Sequence, residues 1–292
     1  MQETKVLFTK NISSEGLVRI FEEMKTHLNG NVAIKISTGE PGGHNYLKPE
    51  LIKDLVQKLK GTIVECNTAY KGKRFKTEDH LKAAKDHGFM DIADVDIMDS
   101  EGDIAIPVMG GRQLTENYVG KNLEKYDSIL MLSHFKGHAM GGFGGALKNA
   151  SIGIASAKGK TIIHTANKVN NPDELFNNLP KQDDFLEAMA EAAKSVADYK
   201  PNIVYINIMN NMSVDCDCDA NPAPPKMGDI GILASLNPVA LDQACVDLIY
   251  QSGDTGKKDL IERMESLNGI HIIKHAEDIG LGTKEYELVN ID

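Results

Sequence analysis

Residues 133–149 run Ser-His-Phe-Lys-Gly-His-Ala-Met-Gly-Gly-Phe-Gly-Gly-Ala-Leu-Lys-Asn. They set His134, Lys136, His138 and Lys148 among five glycines, directly after the apolar run 128–132. Imidazoles exchange protons near neutral pH and ligate metals, and an ammonium holds an anion. Glycine lets the backbone approach a ligand closely and tolerates positive φ. Basic side chains on a glycine-rich turn between a strand and a helix are the layout of a ligand site in an α/β protein. The stretch is not a Walker A loop, because Leu147 and Asn149 flank Lys148 where that motif needs Gly and Ser or Thr. It is not a dinucleotide fingerprint either, since Leu147 stands at the third glycine position counted from Gly142 and Gly144. What remains is a turn at a helix N-terminus whose free N–H groups, with Lys148, favour a carboxylate or phosphate. Lys136, Gly142, Gly144, Gly145 and Asn149 are the expected ligand contacts. The competing reading is a tight packing turn with exposed basic residues.

Other histidines extend the pattern. His44 closes a second glycine-rich turn, 37–44, after a strand-like run, and His164 follows Thr161-Ile162-Ile163, which reads as a strand end. His27, His80, His87, His271 and His275 lie on expected helices or away from such turns and read as packing or surface residues. Asp215-Cys216-Asp217-Cys218-Asp219 opens like a calcium loop, yet Ala220 and Lys226 occupy the positions that need Gly and Glu. Cys216 and Cys218 can supply two thiolates to a soft metal. The alternative is a turn in which the aspartates bond local N–H groups. Asp229 and Asp242 flank a strand–turn–helix passage, where Asp242 either faces a site or stabilises a helical first turn.

The elements that must position these groups alternate. Strands are expected at 5–9, 31–37, 61–66, 96–98, 104–109, 126–133, 202–208 and 229–234. Helices are expected at 14–28, with Ser14 as its cap, and at 49–60, 77–87, 144–155, 183–198, 238–250 and 257–266. Near-continuous apolar strands separated by helices imply parallel sheets with helices on both faces. The expected fold is α/β, with two mainly parallel lobes, 1–180 and 181–292, and a cleft between them. The polar stretch 166–182 is the linker candidate. The chain has 292 residues, 41% hydrophobic and 25% charged, with net charge −10, no Trp and four Cys. A basic nucleic-acid-binding face is disfavoured, no apolar run approaches the ~20 residues of a membrane span, and no secretory leader or disulfide framework is evident. A cytoplasmic location follows, and a homo-oligomer remains open.

Several of these segments look familiar. Gly-Gly-Ala-Leu-Lys-Asn within 137–156, the Asp-Cys-Asp-Cys run at 215–218, and Asp-Ile-Gly-Ile-Leu-Ala-Ser with Asn-Pro-Val-Ala-Leu-Asp-Gln-Ala across 229–244 resemble the family called domain of unknown function 362. Many members carry a cysteine-rich, ferredoxin-like insert. The matching region here, about 156–185, has no cysteine, so an iron–sulfur cluster is not carried over. A thinner resemblance links His44, His138, Lys148 and His164 to the nickel-pincer site of lactate racemase. It implies Lys148 as the tether, His164 as nickel ligand, and His44 with His138 as the pair that exchanges the substrate hydroxyl proton. The expected function is a small-molecule enzyme acting on an anionic hydroxy or carboxylic acid, with His138, Lys148 and His44 catalytic and His164 available to a metal, nickel or iron. The rival is a non-catalytic metal or iron–sulfur-associated electron-transfer accessory using Cys216 and Cys218.

Overall fold

The computed structural model describes residues 4–292. The chain begins with strand β1 (Lys5–Thr9) and helix α1 (Ser14–Glu23), whose cap is Ser13 rather than Ser14, its side chain accepting from the Gly16 N–H. There follow β2 (Val32–Lys35), α2 (Pro49–Leu59), β3 (Thr62–Glu65), α3 (Thr77–Asp86) and β4 (Val95–Ile97). A separate hairpin, β5 (Asp103–Pro107) with β6 (Glu116–Gly120), precedes the buried strand β7 (Ser128–His134). The glycine-rich stretch folds as a small hairpin, β8 (Lys136–His138) and β9 (Gly142–Gly144), then as α4 (Ala146–Ser151) and α5 (Ala157–His164). The second half supplies α6 (Gln182–Tyr199), β10 (Ile203–Met209), β11 (Gly231–Ser235), α7 (Pro238–Gln251), α8 (Lys257–Ser266), α9 (His271–Asp278) and β12 (Glu287–Asn290).

The α/β architecture is as the sequence indicates. One eight-stranded sheet runs β12-β1-β11-β10-β7-β2-β3-β4. It is parallel from β10 through β4 and antiparallel on either side of β11. Two expectations need correction. Strands from both sides of residue 180 share this sheet, with Ile206 of β10 in register with Leu132 of β7, so the boundary there does not separate two sheets. The reason is that β7 and β10 are buried at every position, as interior strands flanked by a neighbour on both edges are. Thr161-Ile162-Ile163 is helical rather than a strand, because Ser156 caps α5 through the Gly159 N–H and starts the helix just before that short apolar run.

Alternation along each strand builds a core on either face. Ile129 and Met131 face one core with Leu147, Phe185 and Val239. Leu130 and Leu132 face the other with Leu17, Ile20 and Ile52. Because β2, β3, β7 and β10 run parallel, Lys35, Glu65, His134 and Met209 all emerge at one edge, the position expected of a ligand site in an open α/β sheet. A shared sheet predicts that urea unfolds both halves in one transition, and that Leu132→Ala lowers stability by about 2–5 kcal/mol. Two resolved transitions, one per half, would contradict it.

Candidate functional site

At that edge lies a cavity of about 210 Å³, lined by Lys35, Glu65, Arg74, His138, Lys148, Asn149, Lys160, His164 and Cys218 among others. Five of the sequence candidates, His138, Lys148, Asn149, His164 and Cys218, therefore share one cavity although they come from β8, α4, α5 and the loop after β10.

Most of its charges are fixed. Lys35, 1% exposed, donates to the Ile36 carbonyl at 2.6 Å and lies 3.9 Å from Glu65. Burial pushes its ammonium down to about 8, against the pull of Glu65. Lys160 donates to the Ala155 and Cys66 carbonyls at 2.6 and 3.3 Å. Arg74 donates to Glu40 at 2.8 Å and stands 3.6 Å from Glu65. Burial alone would raise the Glu65 carboxyl, but the His80 contact, Lys35 and Arg74 outweigh it and hold it well below the usual range. Thr38 adds two hydrogen bonds to the same oxygen.

Lys148 differs. Among the described residues its Nζ has no hydrogen-bond or ion-pair partner. Burial first, and then the Lys136 ammonium, push it down to about 7, with Asp217 opposing. The neutral amine is thereby favoured relative to an ordinary lysine.

The two histidines are complementary. His138 Nδ1 accepts from the Met140 and Gly141 N–H groups at 3.2 and 2.8 Å, which leaves the ring proton on Nε2. Burial and the charges of Lys148 and His164 hold His138 well below its ordinary value, so it stays neutral. His164 bonds the Lys160 carbonyl through Nδ1 at 2.7 Å, which places its proton there and leaves Nε2 bare. Burial pushes His164 down to about 4, and its ring stacks on Phe185. One imidazole thus offers a donor and the other an acceptor.

Other candidates stand elsewhere. His44 is exposed and does not line the cavity. Its loop contributes instead through Glu40, the partner of Arg74. Lys136 is occupied by Asp217 at 2.9 Å and by the His134 carbonyl. Asp217, held low by His134 and Lys136 against the effect of burial, braces the strand end from behind. The anion expected at the α4 N-terminus is supplied by the chain itself. Asp242, fully buried, accepts from the Ala146 and Leu147 N–H groups at 2.8 and 2.9 Å and from Asn207 at 2.7 Å. Burial pushes its carboxyl up to about 6 despite these bonds. Gly142 and Gly145 are packed against neighbouring chain, whereas Gly144 lies against the Lys148 and Lys136 side chains. Gly142 has φ +80° and packs on Gly269, while a Cβ at Gly145 would strike Asp242 Oδ1. Asn149 lines the cavity, but its amide is committed to Lys35 O, Leu132 O and Ser133 Oγ.

Cys216 and Cys218 are joined as a disulfide, which offers no thiolate, so metal ligation is not available in this state. Their sulfurs and a His138 nitrogen lie within 4.8 Å of one another. Asp219 and Asp215 bond nearby backbone N–H groups, as the turn reading expects. Sequence reasoning missed Lys35, Glu65, Arg74 and Lys160. The signal was there for two of them: a charged residue ending a short apolar strand, as in Val32-Ala33-Ile34-Lys35 and Thr62-Ile63-Val64-Glu65, is costly unless it is paired.

An open, mostly parallel sheet with a cationic cavity at its strand ends defines an α/β protein of ligand-site architecture. Within that class the chain belongs to the domain of unknown function family DUF362, whose model matches residues 32–247. No curated protein matches. Among solved structures, the lactate racemase apoprotein from Thermoanaerobacterium thermosaccharolyticum is 15% identical with a TM-score of 0.49, over 83% of this chain and 56% of that one. A protein from Thermotoga maritima is 13% identical with a TM-score of 0.42, over 91% of this chain and 58% of its own. The chain thus spans little more than half the length of these structures. Among the described residues no helix is long and apolar enough to cross a membrane.

Two outcomes test this geometry. Gly145→Ala forces Asp242 off the α4 cap and should cost about 1–3 kcal/mol in urea unfolding. Lys148 is held below its unfolded value of 10.5, so the folded state binds fewer protons there. Its cost to stability is full below about pH 7 and fades as pH rises toward 10.5. Lys148→Met should therefore melt higher than the parent at pH 6, with the gap closing at alkaline pH.

Proposed function

We propose that the protein is an enzyme acting on a small anionic substrate, a hydroxy or carboxylic acid, within this cavity. The observation that carries the reading is one unpaired amine beside two neutral imidazoles, ringed by pinned cations. Lys35, Lys160 and Arg74 supply positive potential with little reorganisation, as favours an anion and charge developing on it. The His138 Nε2–H is a donor for a substrate oxygen, and the bare His164 Nε2 is an acceptor for a proton. A neutral imidazole used as a hydrogen-bond donor replaces the proton-exchanging role expected of His138.

The nickel-pincer set implied by the lactate racemase resemblance is met only in part. Lys148 and His164 have suitable positions and free atoms, but exposed His44 cannot pair with His138 across the cavity. The residues do not form the complete set, and no step through that group is derived.

A second reading, a metal-associated accessory protein, is favoured by the closeness of Cys216, Cys218 and His138. It requires reduction of the disulfide and, for a metal at Nδ1, loss of the two backbone bonds to His138. Calorimetry with carboxylates against their neutral amides, alongside elemental analysis of anaerobically purified protein, separates the two. Carboxylate binding that is lost or weakened in Lys160→Gln, with no stoichiometric metal, is the expected result. Iron with labile sulfide and no carboxylate binding would favour the accessory reading.

A further inference from the structure

We propose that the substrate is an oxo acid and that Lys148 Nζ forms an imine with its carbonyl carbon. This rests on the anionic-substrate reading above and goes beyond it.

The argument begins with what each cation in the cavity is doing. Lys35 is tied to the Ile36 carbonyl and Glu65, Lys160 to two carbonyls, and Arg74 to two carboxylates. These groups are held as fixed charge. Lys148 alone has an amine with no polar partner, and the surrounding cations penalise its charged form. Lys148 is partly buried, and its ammonium would lie among fixed cations with no ion-pair partner of its own, an arrangement that suits a neutral amine. Its value of about 7 agrees with that geometry. A lysine desolvated beside other cations is a nucleophile toward carbonyl carbon.

The two imidazoles fit the steps. The Nζ lone pair attacks the carbonyl carbon, and the carbonyl π pair moves to oxygen, which accepts a hydrogen bond from His138 Nε2–H. The amine gives a proton to His164 Nε2, and the imidazolium so formed returns it to the oxygen, giving a carbinolamine. The second nitrogen proton follows the same route as the C–O bond breaks, so that the oxygen leaves as water and the nitrogen lone pair closes the C=N bond of the imine. One water leaves for each imine formed, and no oxidant or reductant is consumed. The substrate carboxylate answers the charge of Lys35, Lys160 and Arg74. A hydroxy acid binds the same cations and forms no imine.

The test uses the whole protein. It is incubated with pyruvate, glyoxylate or 2-oxoglutarate, then reduced with borohydride, digested and mapped by mass. Lactate serves as the hydroxy-acid control, and calorimetry in parallel reports carboxylate binding without reduction. The expected result is a reduced adduct on the peptide holding Lys148 for at least one oxo acid and none for lactate. Adduct formation should fall about tenfold between pH 8 and pH 6 as the amine is protonated. The mapping needs no variant, and Lys148→Met, checked for folding by circular dichroism, should lose the adduct. Carboxylate binding without any adduct overturns the imine and leaves the anionic-substrate reading standing. Adducts confined to other lysines also overturn it. No binding by oxo or hydroxy acid, with no adduct, overturns both.

Discussion

Buried charge must be compensated, and this constraint organises the carboxyl edge of the sheet. Lys35, Arg74 and Lys160 emerge there with little access to water, and each is met by a carboxylate or a carbonyl. Glu65 is the hub: it faces Lys35, Arg74 and His80 while Thr38 bonds one of its oxygens. Removing one partner from such a network exposes the rest to the full cost of desolvation. The potential inside the cavity is therefore a fixed property of the fold, built before any ligand arrives.

Aiming Lys148 into that potential is the work of α4. The helix is only six residues long, too short to be stable by itself. It is held at its start by Asp242 from α7 and further along by Asn149, which reaches the ends of β2 and β7. The elements that orient the Lys148 amine thus come from both halves of the sequence. That agrees with β7 and β10 lying side by side and with the cavity belonging to the whole sheet.

Much of the fold was legible because its signals are local. Apolar strands such as 128–134 and 203–209, and cap residues such as Asn237 ahead of Pro238, act through their immediate neighbours. The clustering of His138, Lys148 and His164 could be anticipated from spacing and resemblance. The identity of their partners could not. Whether the α4 N–H groups meet a ligand or Asp242 is decided by a contact spanning about a hundred positions. Which histidine nitrogen carries the proton depends on the Gly141 N–H in one case and the Lys160 carbonyl in the other. The short run at 161–163 fits either a strand or a helix until Ser156 is seen to cap it. His44 misled because a glycine-rich turn marks flexibility of backbone and says nothing of where the side chain ends.

The glycines of the hairpin carry one more consequence. Gly137 abuts the backbone of Val214, Gly142 that of Gly269, and Gly145 the Asp242 carboxylate. All three answer to neighbouring chain rather than to the cavity. A pattern search anchored on them therefore recognises a way of folding this corner. It would score just as well on a chain in which the side chains lining the cavity had been exchanged. Positions 35, 74, 148, 160 and 164, which line that cavity, have to be read separately from those glycines in a related sequence.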